Sequence, residues 1–375
     1  MVLVRAHFLP CVVLSLATVA PGCGSTVEGE GRPGPDPAIL ASTPRTGEGR
    51  VVIVTLDGAR WQDLFFGADP RFGLDTASSR ELVPNLHALT TARGIRLGGA
   101  PPPCGVARTA NAVNLSLPGY LEMFTGRPNN CLDNDCARAD FTVFDQAARS
   151  GVPGVFAIGS WEALDRATTS VEADRPVFVS AGRTWPREPR DEPPPLDRYV
   201  AAGNDAEPWP GIGEYRPDLH TARIALETFR LKHPGLLYVG LGDTDEHGHH
   251  GSYADYVGAL RAADAFVGDL AAVIEAERAW ANTTVLVLPD HGRSAGFRDH
   301  GADFPESGRI FLFAFGAGVK HLGDATPCLE RDITLLDVTP TVRALLGLVA
   351  DPSPDAGRPI AELVGNASEA EALAR

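Results

Sequence analysis

The chain is short of positive charge: 33 Lys and Arg stand against 48 Asp and Glu, a net charge of −15. That deficit argues against general nucleic-acid binding, which needs a basic surface against phosphates. It leaves anionic substrates open, because bound cations would invert the local field. Long hydrophobic runs are also scarce. The apolar stretch Phe8 to Ala20 is too short and too early for a spanning helix. No internal repeat is present. Cysteines number six and form no paired C-x-x-C, so a four-cysteine metal site is disfavoured. No G-x-S-x-G frame surrounds Ser116, which excludes a Ser–His–Asp elbow there.

What is present is chain enough for one large domain or two small ones, 375 residues with 44% hydrophobic content to build a sizeable core. Residues 1–23 read as a targeting segment. Arg5 precedes the apolar run, which ends in Val19-Ala20-Pro21-Gly22-Cys23-Gly24-Ser25. A small residue before Cys23 resembles a bacterial lipoprotein cleavage site, although Ala20 and Pro21 depart from the usual Leu-and-small pair. Ordinary signal-peptide cleavage near the same place is the alternative. Both place the protein outside the cytoplasm, periplasmic or at the cell surface; the lipoprotein reading adds membrane contact, only through a lipid at Cys23. Residues 24–48 are rich in Gly, Pro, Glu and Thr and read as a flexible tether. Cys104, Cys131, Cys136 and Cys328 remain, an even number that suggests two disulfides. Three pairings are possible. Cys131–Cys136 with Cys104–Cys328 is preferred, because the first pair is close in sequence.

From Val51 to about Gly347 apolar runs alternate with helical patterns. Buried strands are expected at 51–56, 153–158, 236–241, 283–289 and 309–315. Helices are expected near 83–93, 117–126, 217–232, 253–278 and 333–346. In 253–278, Tyr256, Leu260, Ala263, Val267, Leu270 and Ile274 share one face. The alternation implies an α/β fold, a mainly parallel central sheet with helices on both faces, over a domain of 49–350 followed by a tail of 351–375. Residues 182–216 hold many prolines and charges, and read as an excursion over the surface or the active site.

In such sheets, functional groups gather beyond the carboxyl ends of the strands. Asp57 lies there, after Val51 to Leu56. Asp290-His291-Gly292 lies there too, after Val285 to Leu288; His is a poor turn residue, so a plain polar turn explains the pair badly. Asp243 to His250 follows another strand and is dense in Asp and His. Its register is ambiguous: Asp245 with His249 and Asp243 with His247 have the same spacing. His300 is a further candidate. Ser116 opens the expected helix at 117–124. A serine there commonly caps the helix, but the same position offers N–H groups and a positive dipole end to an anion. Only Asp, His and one hydroxyl recur in this set, which suits two borderline-hard divalent ions flanking a nucleophilic oxygen.

These motifs, in this order over roughly 50–350, resemble the alkaline phosphatase superfamily, in particular its nucleotide pyrophosphatase/phosphodiesterase-like and sulfatase-like branches. Val54-Thr55-Leu56-Asp57-Gly58 is similar to the opening metal-binding strand. Ser116-Leu117-Pro118-Gly119-Tyr120 is similar to the start of the nucleophile helix, which carries Thr at the Ser116 place in the phosphodiesterase branch. Asp337-Val338-Thr339-Pro340-Thr341 resembles the closing helix. The resemblance implies one metal held by Asp245, His249 and His300, and another by Asp57, Asp290, His291 and the Ser116 oxygen, with zinc the usual ion. Gly248-His249-His250-Gly251 resembles the family's Gly-His pair and inclines the register to Asp245 and His249.

Two departures qualify the likeness. Sulfatases of the superfamily read Cys or Ser, X, Pro, X, Arg; Tyr120 stands where that Arg is needed. The phosphodiesterase branch has an Asn on a phosphoryl oxygen; here Asn134 or Asn130 is the candidate. The resemblance therefore implies a metal-dependent phosphoric ester hydrolase, phosphodiesterase or phosphatase, acting on a small-molecule phosphate ester through Ser116. A sulfate-ester or phosphonate hydrolase is the alternative on the same fold. A lipid-anchored, metal-stabilised binding protein without turnover is the alternative of another class.

Overall fold

A computed structural model describes residues 49–73, 77–170, 177–183 and 194–364. The export segment with Cys23, the tether, residues 184–193 of the Pro-rich excursion and residues 365–375 lie outside them.

Seven strands form the main sheet: β1 (Arg50–Leu56), β2 (Gly94–Leu97), β3 (Val155–Gly159), β4 (Phe178–Ala181), β5 (Leu236–Leu241), β6 (Thr283–Leu288) and β7 (Leu312–Gly316). Their order is β2-β7-β6-β1-β5-β3-β4. The pairs from β6 through β4 are parallel; β7 runs antiparallel to both β6 and β2. The strands at the centre are apolar on both faces, as parallel strands covered on both sides must be. In β1, Val51 and Ile53 enter one core while Val52, Val54 and Leu56 enter the other.

Helices α1 (Pro84–Arg93), α4 (Asp218–Lys232) and α6 (Tyr253–Ala276) cover the second face with Leu86, Phe229 and Leu260 among others. Helices α2 (Ser116–Thr125), α3 (Val143–Arg149) and α7 (Val338–Leu346) cover the first with Phe124, Phe144 and Val342. Between β5 and α6 runs the short helix α5 (Asp243–His249).

Two strands escaped the sequence reading. β2 and β4 have only four residues each, and β2 carries Arg96, so neither makes a long apolar run. A small sheet of Ala107–Arg108, Arg309–Ile310 and Ile333–Thr334 was also unforeseen, because two-residue strands carry no periodicity. The 333–346 helix is shorter than expected and begins at Val338, after a single 3-10 turn. Residues 351–364 are more than a tail. Ile360 and Leu363 are buried, and the Lys320 N–H donates to the Leu363 carbonyl at 2.8 Å.

Candidate metal centre

β6, β1 and β5 are neighbours at the middle of the sheet, and their carboxyl ends deliver Asp290-His291, Asp57 and α5 to one place. The Asp57 N–H continues the β1–β5 ladder onto the Leu241 carbonyl at 2.9 Å. Thr244 at the start of α5 donates its hydroxyl to the Asp57 carbonyl at 2.6 Å. From across the site, α2 brings Ser116, and Gly119 lets it approach: a Cβ there would lie 2.7 Å from the Asp290 carbonyl oxygen.

One cluster joins Asp57, Asp290, His291 and Ser116. Ser116 Oγ is 3.2 Å from His291 Nε2 and 3.4 Å from Asp57 Oδ1. His291 Nε2 is 3.6 Å from Asp57 Oδ1 and 3.4 Å from Asp290 Oδ2. His291 Nδ1 lies 2.8 Å from the Gly292 carbonyl, and as the donor there it leaves a bare lone pair on Nε2. Asp290 Oδ1 accepts the Gly58 N–H at 3.2 Å, whereas Oδ2 is buried with no hydrogen-bond partner among the described residues.

The second cluster joins Asp245, His249 and His300. His249 Nε2 is 2.9 Å from Asp245 Oδ2 and 3.1 Å from His300 Nε2, and His300 Nε2 is 3.8 Å from Asp245 Oδ1. The α-helical spacing of four residues puts Asp245 and His249 on one face of α5. Asp243 and His247 face elsewhere. Asp243 accepts from the Tyr215 hydroxyl at 2.7 Å, and the His247 ring stands 6.2 Å from that of Trp209. The clusters touch: the His291 and His300 rings stack at 3.9 Å.

The donor set fits divalent cations. Ligand atoms around a tetrahedral ion lie roughly 3.3–3.6 Å apart when each bond is about 2.0–2.2 Å. The four contacts to Ser116 Oγ and His291 Nε2 in the first cluster span 3.2–3.6 Å. Bare imidazole nitrogen facing two carboxylates is repulsive unless a cation lies between them, and an orphaned buried carboxylate oxygen is costly. The acidities agree. Burial, then the charges of Asp290 and Asp245, push the Asp57 carboxyl well above its ordinary value. Burial and then Asp245 raise Asp290 to about 7. Burial also pushes the Asp245 carboxyl up, but Arg293, His300 and His249 outweigh it and hold it well below the usual range. Burial lowers His291 to about 4, and burial with the neighbouring His291 lowers His300 to about 4, so both stay neutral as a metal would require, whereas the Asp245 charge raises His249.

Three contributors escaped the sequence reading. Tyr120 is fully buried and donates its hydroxyl to Asp57 Oδ2 at 2.9 Å, so the residue at the sulfatase-arginine place orients a carboxylate instead. Asn114 has a positive φ of 47°, and its carbonyl lies 2.9 Å from His300 Nδ1, which leaves His300 Nε2 for the cluster. Arg293 is buried and ion-paired with Asp245 Oδ1. Asn114 stands two residues before Ser116 and Arg293 two after His291, but their roles depend on chain geometry that spacing does not encode.

The two asparagine candidates separate. Asn134 Oδ1 accepts the Leu117 N–H at 3.0 Å, beside Ser116. Asn130 instead lines a cavity of about 530 Å³ with Leu121, Thr125, Arg127 and Arg343, toward the far end of α2. The helix start also offers fewer donors than expected: the Leu117 N–H is engaged by Asn134, and Pro118 has none.

The paired cysteines are Cys104–Cys328 and Cys131–Cys136, as preferred from the sequence.

Residues 144–307 match the family model described as type I phosphodiesterase / nucleotide pyrophosphatase. That span holds Asp245, His249, Asp290, His291 and His300; Asp57 and Ser116 precede it. No curated protein sequence matches the chain. Among solved structures, a 2-O GAG sulfatase aligns at a TM-score of 0.55 and 12% identity, over 84% of this chain and 73% of its own. A protein of the alkaline phosphatase superfamily from Vibrio parahaemolyticus aligns at 0.53 and 16%, over 85% and 71%. A mutant alkaline phosphatase aligns at 0.57 and 13%, over 86% of this chain and 100% of its own. At such identities these likenesses speak for the fold, and the family match supports a hydrolase. The fold they share with this chain is alkaline-phosphatase-like, and the family match spans under half of the chain.

Proposed function

We propose that the protein is a metal-dependent phosphoric ester hydrolase in which Ser116 is the nucleophile. The observation that carries this reading is the set of four donor atoms, Ser116 Oγ, His291 Nε2, Asp57 Oδ1 and the orphaned Asp290 Oδ2, each within 3.6 Å of another. Two divalent ions, zinc by the chemistry of the donors, would neutralise the phosphoryl oxygens and lower the pKa of the hydroxyl.

The chain's own groups do the rest. Tyr120, Thr244 and Gly58 hold Asp57 and Asp290 in place through the hydrogen bonds above. Gly292 and Asn114 hold His291 and His300 with their Nε2 atoms inward. Asn134 has its oxygen tied to Leu117, which leaves its side-chain N–H groups as donors for a phosphoryl oxygen beside Ser116. Ser116 Oγ attacks phosphorus, the bond to the ester oxygen breaks, and the departing alkoxide takes up a proton. Water then attacks the phosphoserine, the bond to Oγ breaks, and phosphate or a phosphate monoester leaves.

Tyr120 favours this over sulfatase chemistry. Its hydroxyl is committed to Asp57, and no arginine stands at the fifth position of the Ser116 motif. The test is a turnover panel with added zinc: p-nitrophenyl phosphate, bis-p-nitrophenyl phosphate and p-nitrophenyl sulfate. Cleavage of a phosphate ester at rates well above the sulfate ester is expected. Sulfate as the preferred substrate, or no turnover of any, would sink the reading.

We also propose that the protein works outside the cytoplasm, anchored by a lipid at Cys23. Two disulfides are supporting observations, since they persist in oxidising compartments. Mass spectrometry of membrane-extracted protein should find a lipid adduct at Cys23; a soluble product without one removes the anchor.

A further inference from the structure

The two clusters are unequal in charge. Asp57 and Asp290 bring two carboxylates to one, and the partners that orient them, Tyr120 and the Gly58 N–H, are neutral. The other has the single carboxylate of Asp245, and Arg293 stands against it. The Arg293 side chain is fully buried, and its three kinds of N–H each have one acceptor. Nη1 donates to Asp245 Oδ1, Nε to the Phe297 carbonyl at 2.6 Å, and Nη2 to the Arg298 carbonyl at 2.8 Å.

The slot it occupies is shaped for a planar fork. A Cβ on Gly58 would lie 2.6 Å from Nη1, and one on Gly248 would lie 2.2 Å from Cζ. The guanidinium thus passes between the turn after β1 and helix α5. Solvent access differs in the same sense. The side chains of Asp57, Asp290 and His291 are at most 8% exposed; in the second cluster His300 at 5% and Asp245 at 11% are as closed, and His249 alone opens it, at 48%.

We infer that Arg293 makes the two metal sites unequal: the Asp57–Asp290–His291 site loads first and retains its ion, and the Asp245–His249–His300 site is weak and exchangeable. Two negative charges face a cation in the first site. In the second, one carboxylate is offset by one guanidinium, which also takes one of the two oxygens. An ion-paired carboxylate in a water-poor site attracts a cation far less than a free one. The inference rests on the two-metal reading above, and it makes Arg293 a positioning residue that acts through Asp245.

The test follows zinc leaving the zinc-loaded full chain into excess chelator, with the metal counted by a chromogenic indicator. One equivalent should leave at least tenfold faster than the other. His300→Ala should delete the fast phase and keep the slow one. Arg293→Gln, which removes the charge, should slow the fast phase at least tenfold, whereas Arg293→Lys, which keeps it, should leave that phase within about threefold. A merely structural arginine would instead make both substitutions release zinc faster.

Several results would overturn the inference: equal release of both ions, loss of the slow phase in His300→Ala, or a fast phase unslowed in Arg293→Gln with its circular dichroism unchanged. If Arg293→Gln does not fold, the wild-type kinetics and His300→Ala decide alone. A wild-type chain that binds no zinc contradicts the hydrolase reading itself, a separate outcome from two equivalent tight ions.

Discussion

His249 and His247 are two residues apart, yet only His249 has its Nε2 against Asp245 and His300. His247 faces Trp209. Removing a ligand costs metal affinity directly, while removing a bystander does not. His249→Ala should therefore weaken zinc binding by roughly 100-fold or more and take activity with it, and His247→Ala should stay near wild type. Competition with a chelator measures both; equal losses, or the reverse order, contradict the assignment.

The pH dependence of metal uptake follows from the same groups. Asp290 is raised to about 7, so below that value it carries a proton in the metal-free protein. His291 and His300 lie at about 4 and are already neutral there. Zinc binding must expel the Asp290 proton, so apparent affinity should fall as pH drops below about 7, and protons should be released on binding at pH 6. Calorimetry in buffers of different ionisation enthalpy measures that release. Binding at pH 6 with no protons released would contradict the picture of buried carboxylates poised for a cation.

At the scale of elements, the close seat of α2 on the end of β6 sets the distance from Ser116 to His291. Gly119 is the contact point, with no room for a methyl group against the Asp290 carbonyl. Gly119→Ala should cost about 1–3 kcal/mol of stability through overpacking. It should also lower activity more than its loss of folded protein explains, because α2 must move away from Asp290-His291. Thermal melts set beside kcat at a temperature where the variant is folded measure this; a stable variant with wild-type kcat contradicts the seat.

Much of this layer was legible beforehand. β1, β5 and β6 are runs of six or seven mostly apolar residues, and the candidate ligands follow within a few residues, Asp57 after Leu56, Asp245 after Leu241 and Asp290 after Leu288. Their order along the chain was enough to suggest a shared site. Arg293 was not legible, because its meaning lies in a slot between Gly58 and Gly248 from two other elements. Tyr120 was read only as the absence of an arginine; that its hydroxyl reaches Asp57 depends on how α2 crosses β1. The register of α5 was open on spacing alone and needed the helix orientation to settle which face meets His300.

Across the whole molecule, the Cys104–Cys328 bond ties the loop before the small sheet to the segment before α7, over a sequence separation of 224. Cross-linking so long a loop restricts the unfolded chain strongly, so Cys104→Ser with Cys328→Ser should cost about 2–5 kcal/mol. Denaturant unfolding measures it, and an unchanged midpoint would contradict a structural role. The candidate site lies elsewhere, at the carboxyl ends of β6, β1 and β5, so its Asp and His side chains should keep their arrangement in the folded variant.

The central claim is that Ser116, clustered with Asp57, Asp290 and His291, forms the covalent phosphoryl intermediate. The most direct measurement is acid-quenched trapping: zinc-loaded enzyme is mixed with a cleaved phosphate ester, quenched at low pH, digested and examined by mass spectrometry. Phosphoserine is expected on the peptide carrying Ser116, and it should vanish in Ser116→Ala, whose turnover should fall by roughly 10³-fold or more. A phosphoryl group on another residue, a formylglycine mass at position 116, or an active Ser116→Ala variant would contradict the account.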